Sequence, residues 1–463
     1  MDKKRHIRYR ENGNGTAVGL TPFFFLFLIF YLVRLLQLGI RIPVFGNFRL
    51  EFILGLLVAV PGVVLLTQEK KLIRPTSFNL GLAFAFLMLL MTPLSVDPEV
   101  SWGVFSNIVL KDLMVGICIA AFLTSVMRMK WFIFSHLLGF AKMAEEGVVG
   151  SITGGLIWEN QGTLRLHGST PRYDHPNSFG GTQAGTLPFL GELFRINRSQ
   201  IVRILLVLQA VAAIDVIIHT GSRTTYFAMI MWIGYLFISS KNKFRSLIII
   251  CATALVLSVA TPPQYVERFS QIFSQKDKEG GSVETRKEIY TDALEIFLSH
   301  PLGVGVGAFP SIRKQTFGRS QDTHNLYLEV ATNLGVQGLI LFTALIIAMF
   351  RDLRRLSTEI GNSIAGLRLM AADRADINSK IRDLEFLRAV ANSLKGFLVI
   401  RLGCGLFGHD LYEAYWWFAI GLIVALTRLS AEIADLAKSP GGTTRRADST
   451  RIAKAMQRTS TQP

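Results

Sequence analysis

An all-α, polytopic membrane fold with about 12 transmembrane helices is predicted by three observations. Half of the 463 residues are apolar and only 18% are charged, against roughly 25% in an average soluble domain. Apolar runs long enough to cross a hydrocarbon core of about 30 Å recur along the chain. Lys and Arg fall mainly in alternate connections between those runs, as expected when basic loops are retained on the cytoplasmic side.

The runs are Thr21–Ile40, Glu51–Thr67, Ser77–Leu94, Ile108–Met127, Trp131–Val149, Ser178–Leu193, Ile201–His219, Thr224–Ser239, Phe244–Thr261, Leu326–Phe350, Phe386–Leu406 and Ala414–Leu429. The first is long for a cleaved signal and no small-residue cleavage site follows it, so it reads as a retained anchor. With the amino terminus inside, the inner segments carry about three times the Lys and Arg density of the short outer loops, and both termini are cytoplasmic. The chain then divides into helices 1–9 over residues 1–261, a large periplasmic loop over 262–324 between spans 9 and 10, and helices 10–12 over 325–430. An inner segment occupies 351–385, of which Asp352–Glu385 reads as a charged amphipathic helix with a solvated structural role, and a basic, disordered tail is expected over 431–463. The large loop far exceeds ordinary connection length, and loops of that size commonly carry function. In it Thr285-Arg286-Lys287-Glu288 matches a capping box, and Ile289, Ala293, Ile296 and Phe297 recur at helical spacing, so an amphipathic helix is expected there.

The formal charge of +16 does not point to nucleic acid, because the basic residues interrupt apolar runs rather than cluster on a polar domain. Cys118, Cys251 and Cys404 all lie in apolar stretches, which gives neither a disulfide framework nor a Cys-based metal site. Gly303-Val304-Gly305-Val306-Gly307 lacks dinucleotide-binding spacing and reads as a flexible turn. No Lys-Ser or Lys-Thr follows a Gly-rich loop, and no His pair has zincin spacing. No metal or other cofactor is expected.

Six of the eight histidines, His167, His175, His219, His300, His324 and His409, lie in or beside outer connections. Polar chemistry is therefore expected at the outer face, although loops hold polar residues in any case. The stretch from Arg286 to Gly338 contains RKEIYTDALEIFLSHPLGVGVGAF and, after a short basic connection, DTHNLYLEVATNLGVQG. It resembles the hallmark region of the O-antigen ligase and polymerase superfamily, with an Arg before an Ile-Tyr helix, a His-Pro-Leu-Gly turn and His-Asn at the start of a span. GSRTTYFAM at Gly221–Met229 agrees, and HGSTPRYDHPNSFGG at His167–Gly181 is similar to the family's Arg, Gly and Pro-Asn loop. That loop more often has Asp or Asn directly before Pro-Asn, where this chain has His175, which leaves the role of that residue open.

The resemblance implies a metal-independent glycosyltransferase of the bacterial inner membrane with its active site facing the periplasm. Such an enzyme takes a glycan from undecaprenyl pyrophosphate and passes it to an acceptor hydroxyl. The residues fit that chemistry. A hydroxyl attacking an anomeric carbon needs a base, and the leaving pyrophosphate needs fixed positive charge. His324, where the polar loop enters a span, is the candidate base, with a helix-capping or packing role as the alternative. Arg223 and Arg286 are the candidate phosphate ligands, because guanidinium offers a bidentate fork and keeps its charge. Arg286 is expected in the first turn of its helix, where anions are favoured. The alternatives are a snorkelling Arg223 and a solvated Arg286.

Tyr290, one turn after Arg286, is a weaker candidate for substrate contact, joined by His300 and Asn325 of the motif. Arg172, His175 and Asn177 are placed at the donor or acceptor entrance, and Arg401 near the outer end of the eleventh span. Asp215 and His219 are expected to orient Arg223 from behind, a structural role for both being the alternative. Arg34, Lys111 with Asp112, and Lys142 with Glu145 or Glu146 read as internal pairs. The acceptor, whether lipid A core, growing glycan or protein, is not legible, so ligase, repeat-unit polymerase and protein oligosaccharyltransferase all fit, with ligase preferred. A lipid-glycan transporter is the non-enzyme alternative. It is disfavoured because the long linker lies outside between spans 9 and 10 rather than inside between two six-span halves.

Overall fold

The computed structural model describes residues 22–68, 74–160, 163–267, 281–370 and 375–438. The basic amino-terminal segment, residues 268–280 of the large loop and most of the expected basic tail lie outside the described residues. Apart from two short helical pieces at Leu38–Arg41 and Pro43–Asn47, the helices are α1 (Pro22–Leu35), α2 (Leu50–Gln68), α3 (Thr76–Met91), α4 (Pro98–Phe122), α5 (Val126–Thr153), α6 (Pro176–Ile196), α7 (Gln200–His219), α8 (Arg223–Ser239) and α9 (Lys243–Ala260). They continue with α10 (Gly281–Ser299), α11 (Phe309–Phe317), α12 (Leu326–Met370), α13 (Ala375–Gly405) and α14 (Tyr415–Lys438). Each of the apolar runs read from the sequence coincides with one of these helices.

Their starts follow from local chemistry. Ser125, Ser199 and Ser222 accept from the backbone N–H three residues on, at the heads of α5, α7 and α8. Pro176 opens α6, where its missing N–H costs nothing. Helix α14 lies at the centre, with Trp416 through Leu426 buried, and packs on α4, while α13 packs on α6, α8 and α12. The outward faces are apolar too. Phe52 on α2 is 64% exposed and Val259 on α9 is 82% exposed, among rows of Leu, Ile and Val on those helices and on α7. Water would not tolerate such bands on a monomer, whereas hydrocarbon does. Five described helices, α2, α4, α7, α12 and α14, are long and apolar enough to cross a membrane, and α1 and α3 are shorter apolar helices. The protein is an all-α membrane protein.

Four local features differ from the sequence reading. The connection after α5 contains a small antiparallel hairpin, β1 (Ile157–Asn160) with β2 (Thr163–Leu166), paired Trp158 to Arg165. Helix α10 already runs from Gly281, so Thr285 does not cap it and Arg286 sits in its second turn, where the end-of-helix field has largely faded. The basic connection after the Gly-rich turn is itself helical, as α11. The charged inner segment is not a separate helix but the joined ends of α12 and α13, which pack on each other. There Arg368 bonds Glu385 at 2.7 Å and Ser357 bonds Asn392 at 3.2 Å.

The Gly-rich turn is not loose. Within α12, Gly335 has φ 69° and ψ −163°, a conformation essentially reserved for glycine, and the helical ladder is interrupted there. The segment after α10 fills the break. Val304 and Gly305 donate their N–H groups to Thr332 O and Asn333 O, each at 2.9 Å. Pro301 O accepts from Val336 N at 2.9 Å, and Leu302 O accepts from Gln337 Nε2 at 2.6 Å. A Cβ on Gly335 would stand 2.4 Å from the Leu302 carbonyl carbon, and one on Gly305 would stand 2.1 Å from Ser95 Oγ. Gly335→Ala therefore combines left-handed strain with a backbone collision and is expected to cost at least about 3 kcal/mol. Gly318→Ala, with φ 73° and open space around its Cβ, is expected to cost about 1–2 kcal/mol. Thermal unfolding of the two variants in detergent checks this, and equal losses would mean that the docked turn contributes nothing.

Candidate functional site

Two polar clusters form where the large loop, the β1–β2 connection and the α13–α14 connection meet. The first centres on His324. This residue precedes α12 with φ 48°, a left-handed conformation uncommon outside glycine. Asn325 sets up that geometry. Its Oδ1 accepts from Tyr327 N and Leu328 N, capping α12, while its Nδ2 donates to Leu406 O at 3.1 Å. The side chain of Asn325 is thus engaged in holding the turn that presents its neighbour.

His324 faces His409 of the α13–α14 connection, with ring centroids 5.4 Å apart at 67°. Burial pushes the His324 imidazole below its usual range, and the charges of His409 and then Arg286 push in the same direction, partly offset by Asp322. Arg286 on α10 is half-buried, as is Tyr290 one turn on. His300 closes α10 and lies roughly 20 Å along the helix from Arg286, beside the break in α12. Its Nδ1 pairs with Ser299 Oγ at 3.0 Å.

Below this group sits a buried relay. Arg165 of β2 is 2% exposed and donates from Nε to Thr220 O and from Nη2 to Asn177 Oδ1, each at 2.8 Å. Asn177 Oδ1 also accepts from Ser222 Oγ at 2.9 Å. The relay ties α6 to the head of α8, where Arg223 follows Ser222 directly. His175 caps α6 by accepting from Asn177 N at 3.1 Å, and burial, reinforced by Arg165, lowers its imidazole to about 4. It is therefore neutral at physiological pH, and the charges of His324 and His409 reach it as well. On α7, His219 and Asp215 bond each other: His219 Nδ1 lies 2.9 Å from Asp215 O and 3.2 Å from its Oδ1. His219 also packs edge-on against Tyr265 at 5.4 Å.

The second cluster contains Arg172 and Arg401. Arg172 donates to Asp112 Oδ2 at 3.0 Å and to Glu413 Oε2 at 2.9 Å. Asp112 and Glu51 are both bonded by Arg34. Asp112 thus pairs with two arginines rather than with Lys111, whose ammonium donates to Asn107 instead. Lys142 does pair with Glu145 and Glu146, and Glu146 also takes Arg41. Burial pushes the Glu413 carboxyl up, but the charge and hydrogen bond of Arg172, with Arg401 behind, outweigh it and hold Glu413 below the usual carboxylate range. Arg34, Arg172, Arg401 and Glu413 border a partly open cavity of about 80 Å³.

The residues expected to act together therefore separate. His324, Arg286, His175 and Asn177, with Arg223 through Ser222, adjoin one cluster, and Arg172 and Arg401 belong to the other. Sequence reading places His409 and Arg165 in outer connections but gives neither a role. His409 belongs to no motif used, and Arg165 sits in a hairpin whose strands are only four residues each.

Comparison with known families gives one match: the model described as O-antigen ligase covers residues 208–343. This match, over less than a third of the chain, supports membership of the O-antigen ligase and polymerase superfamily. No curated protein matches it. The matched segment runs from α7 into α12 and includes Asp215, His219, Arg223, Arg286, Tyr290, His300, His324 and Asn325. Members of the family are glycosyltransferase-like ligases and polymerases, and the match supports a function of that general type.

The relay carries a test. Asn177→Ala removes the acceptor shared by Arg165 and Ser222, and stability is expected to fall by about 1–3 kcal/mol, the cost of an unsatisfied buried donor. Asn177→Asp keeps the acceptor and is expected to retain more than half of that stability in the same thermal-unfolding measurement.

Proposed function

We propose that this protein transfers a glycan from undecaprenyl pyrophosphate to an acceptor hydroxyl at the periplasmic face of the bacterial inner membrane. The observation that carries the reading is His324: a half-buried imidazole whose protonation is opposed by Arg286 and His409, inside the family-matched segment. A base must be unprotonated before it can act, and burial, with His409 and Arg286 opposing protonation, favours that form. The acceptor oxygen forms the new bond to the anomeric carbon while its proton passes to His324. The bond from that carbon to the pyrophosphate oxygen breaks, and undecaprenyl pyrophosphate leaves with the bonding pair. Arg223 and Arg286 hold the leaving group, because fixed guanidinium charge stabilises the negative charge that grows there. The chemistry assigned to these side chains uses no metal. Asp215 and His219 support the head of α8 beside Arg223. Tyr290 extends the same surface of α10. The acceptor taken as most consistent is lipid A core, which makes the protein a ligase; a growing glycan makes it a polymerase, and a protein acceptor an oligosaccharyltransferase.

A deletion strain complemented with wild type or His324→Ala, with surface glycan resolved by length, tests this. Loss of long glycan on lipid A core, with polymer retained on undecaprenyl pyrophosphate in the outer leaflet, is the expected result for a ligase. Single repeat units would mean a polymerase, donor trapped in the inner leaflet would mean a transporter, and full activity of His324→Ala would exclude the base. Arg286→Gln is expected to lower turnover about 10²-fold or more.

The pH dependence has a definite sign. His324 is lowered from the usual 6.5. Activity is therefore expected to persist below pH 6.5 and to be lost only as pH falls through the lowered value. His409→Ala removes one opposing charge, so the acid limb should move upward; a limb that does not move would show that His409 exerts no field on the base.

A further inference from the structure

The cavity bordered by Arg172 and Arg401 contains a charge that the chain itself does not neutralise by contact. Arg401 on α13 is 4% exposed, and its guanidinium lies 4.1 Å from the centre of the Tyr415 ring and 5.2 Å from that of Phe397. Among the described residues it makes no hydrogen bond or ion pair, and its Nε is buried without a partner. Of the acids whose charge it meets, Glu413 is bonded by Arg172 and Asp410 forms no ion pair with it, while Asp112 beyond them is bonded by Arg34 and Arg172. A guanidinium cannot shed its proton, so burial leaves it needing an acceptor that fits its planar fork. Gly185 makes room for the guanidinium itself. A Cβ on Gly185 would stand 2.9 Å from Arg401 Nη2. The walls are aromatic as well as cationic, with Tyr31, Phe140, Phe397 and Phe418 around Arg34, Arg172 and Arg401.

We propose that this cavity is a second anion-binding site, in which Arg401 receives a phosphate group against the aromatic walls. Its lining includes none of Arg223, Arg286 and His324. It also lies wholly outside the family-matched segment 208–343. Arg401 supplies two parallel donors to phosphate oxygens, while Tyr415 covers the face of the guanidinium. The proposal does not depend on which transfer reaction the His324 cluster performs.

The test uses the full chain in maltoside micelles, followed by the thermal midpoint of tryptophan fluorescence. Inorganic phosphate is titrated against chloride at constant ionic strength, and in a second arm phosphatidylglycerol is added to the micelles. Wild type and the double variant Arg223→Gln, Arg286→Gln are both expected to show a saturable rise in midpoint with phosphate. In Arg401→Gln the apparent affinity is expected to fall by about tenfold or more, the loss of a charge-assisted bidentate contact. Arg401→Lys, which keeps the charge without the fork, should lie between, and it decides the matter if Arg401→Gln does not fold. If phosphatidylglycerol raises the midpoint and displaces phosphate, the ligand is a lipid headgroup; if phosphate alone acts, it is a free or glycan-borne phosphate. A phosphate response of Arg401→Gln and Arg401→Lys equal to wild type, or no response of wild type to either probe, overturns the proposal.

Discussion

In surroundings without water, every backbone N–H and C=O has to find a partner inside the protein, and the interruption of α12 at Gly335 is where this chain meets that demand most severely. Carbonyls that a continuous helix would satisfy, those of Thr332 and Asn333, are instead satisfied by Val304 and Gly305. The arrangement spreads outward. Asn333 Oδ1 accepts from Phe309 N, and Tyr412 OH accepts from both Gly307 N and Asn333 Nδ2. The large loop, the broken helix and the α13–α14 connection thereby become one body, and His324 and His409 inherit their positions from it.

The α13–α14 connection serves both clusters. His409 at one end faces His324, and Glu413 at the other holds Arg172. Between them Leu411 N donates to the buried Glu329 and Trp416 Nε1 donates to Asp410 O. Few residues separate the two clusters along the chain, and Tyr412 between them is held by Gly307 and Asn333.

The helical plan was legible because the apolar runs are long and their ends carry Ser, Asn or Pro at capping positions, as at Ser199, Ser222 and Asn325. The order of the motif residues was legible as well, and α12 does begin immediately after His324-Asn325. What was hidden depended on distant contacts. Gly303 to Gly307 looks like a flexible turn until the break at Gly335, some 30 residues later, supplies its partners. Arg165 gives no signal in sequence, since its acceptors Thr220 and Asn177 come from other elements. Asp112 follows Lys111 in the chain, yet helical geometry points it toward Arg34 and Arg172, because adjacent residues on a helix face different directions. Thr285 fits a capping pattern, but a helix that starts earlier turns the pattern into ordinary interior sequence.

The repair of α12 also has a direction in time. Residues 301–305 precede Gly335 in the chain, and proteins are made from the amino terminus. When the broken helix emerges, the segment that completes its hydrogen bonds already exists and needs only to fold back. Had the order been reversed, a helix with open carbonyls would have waited in an apolar medium for partners not yet synthesised. The linear arrangement of the chain places the patch ahead of the defect, and so makes an interrupted helix compatible with stepwise assembly.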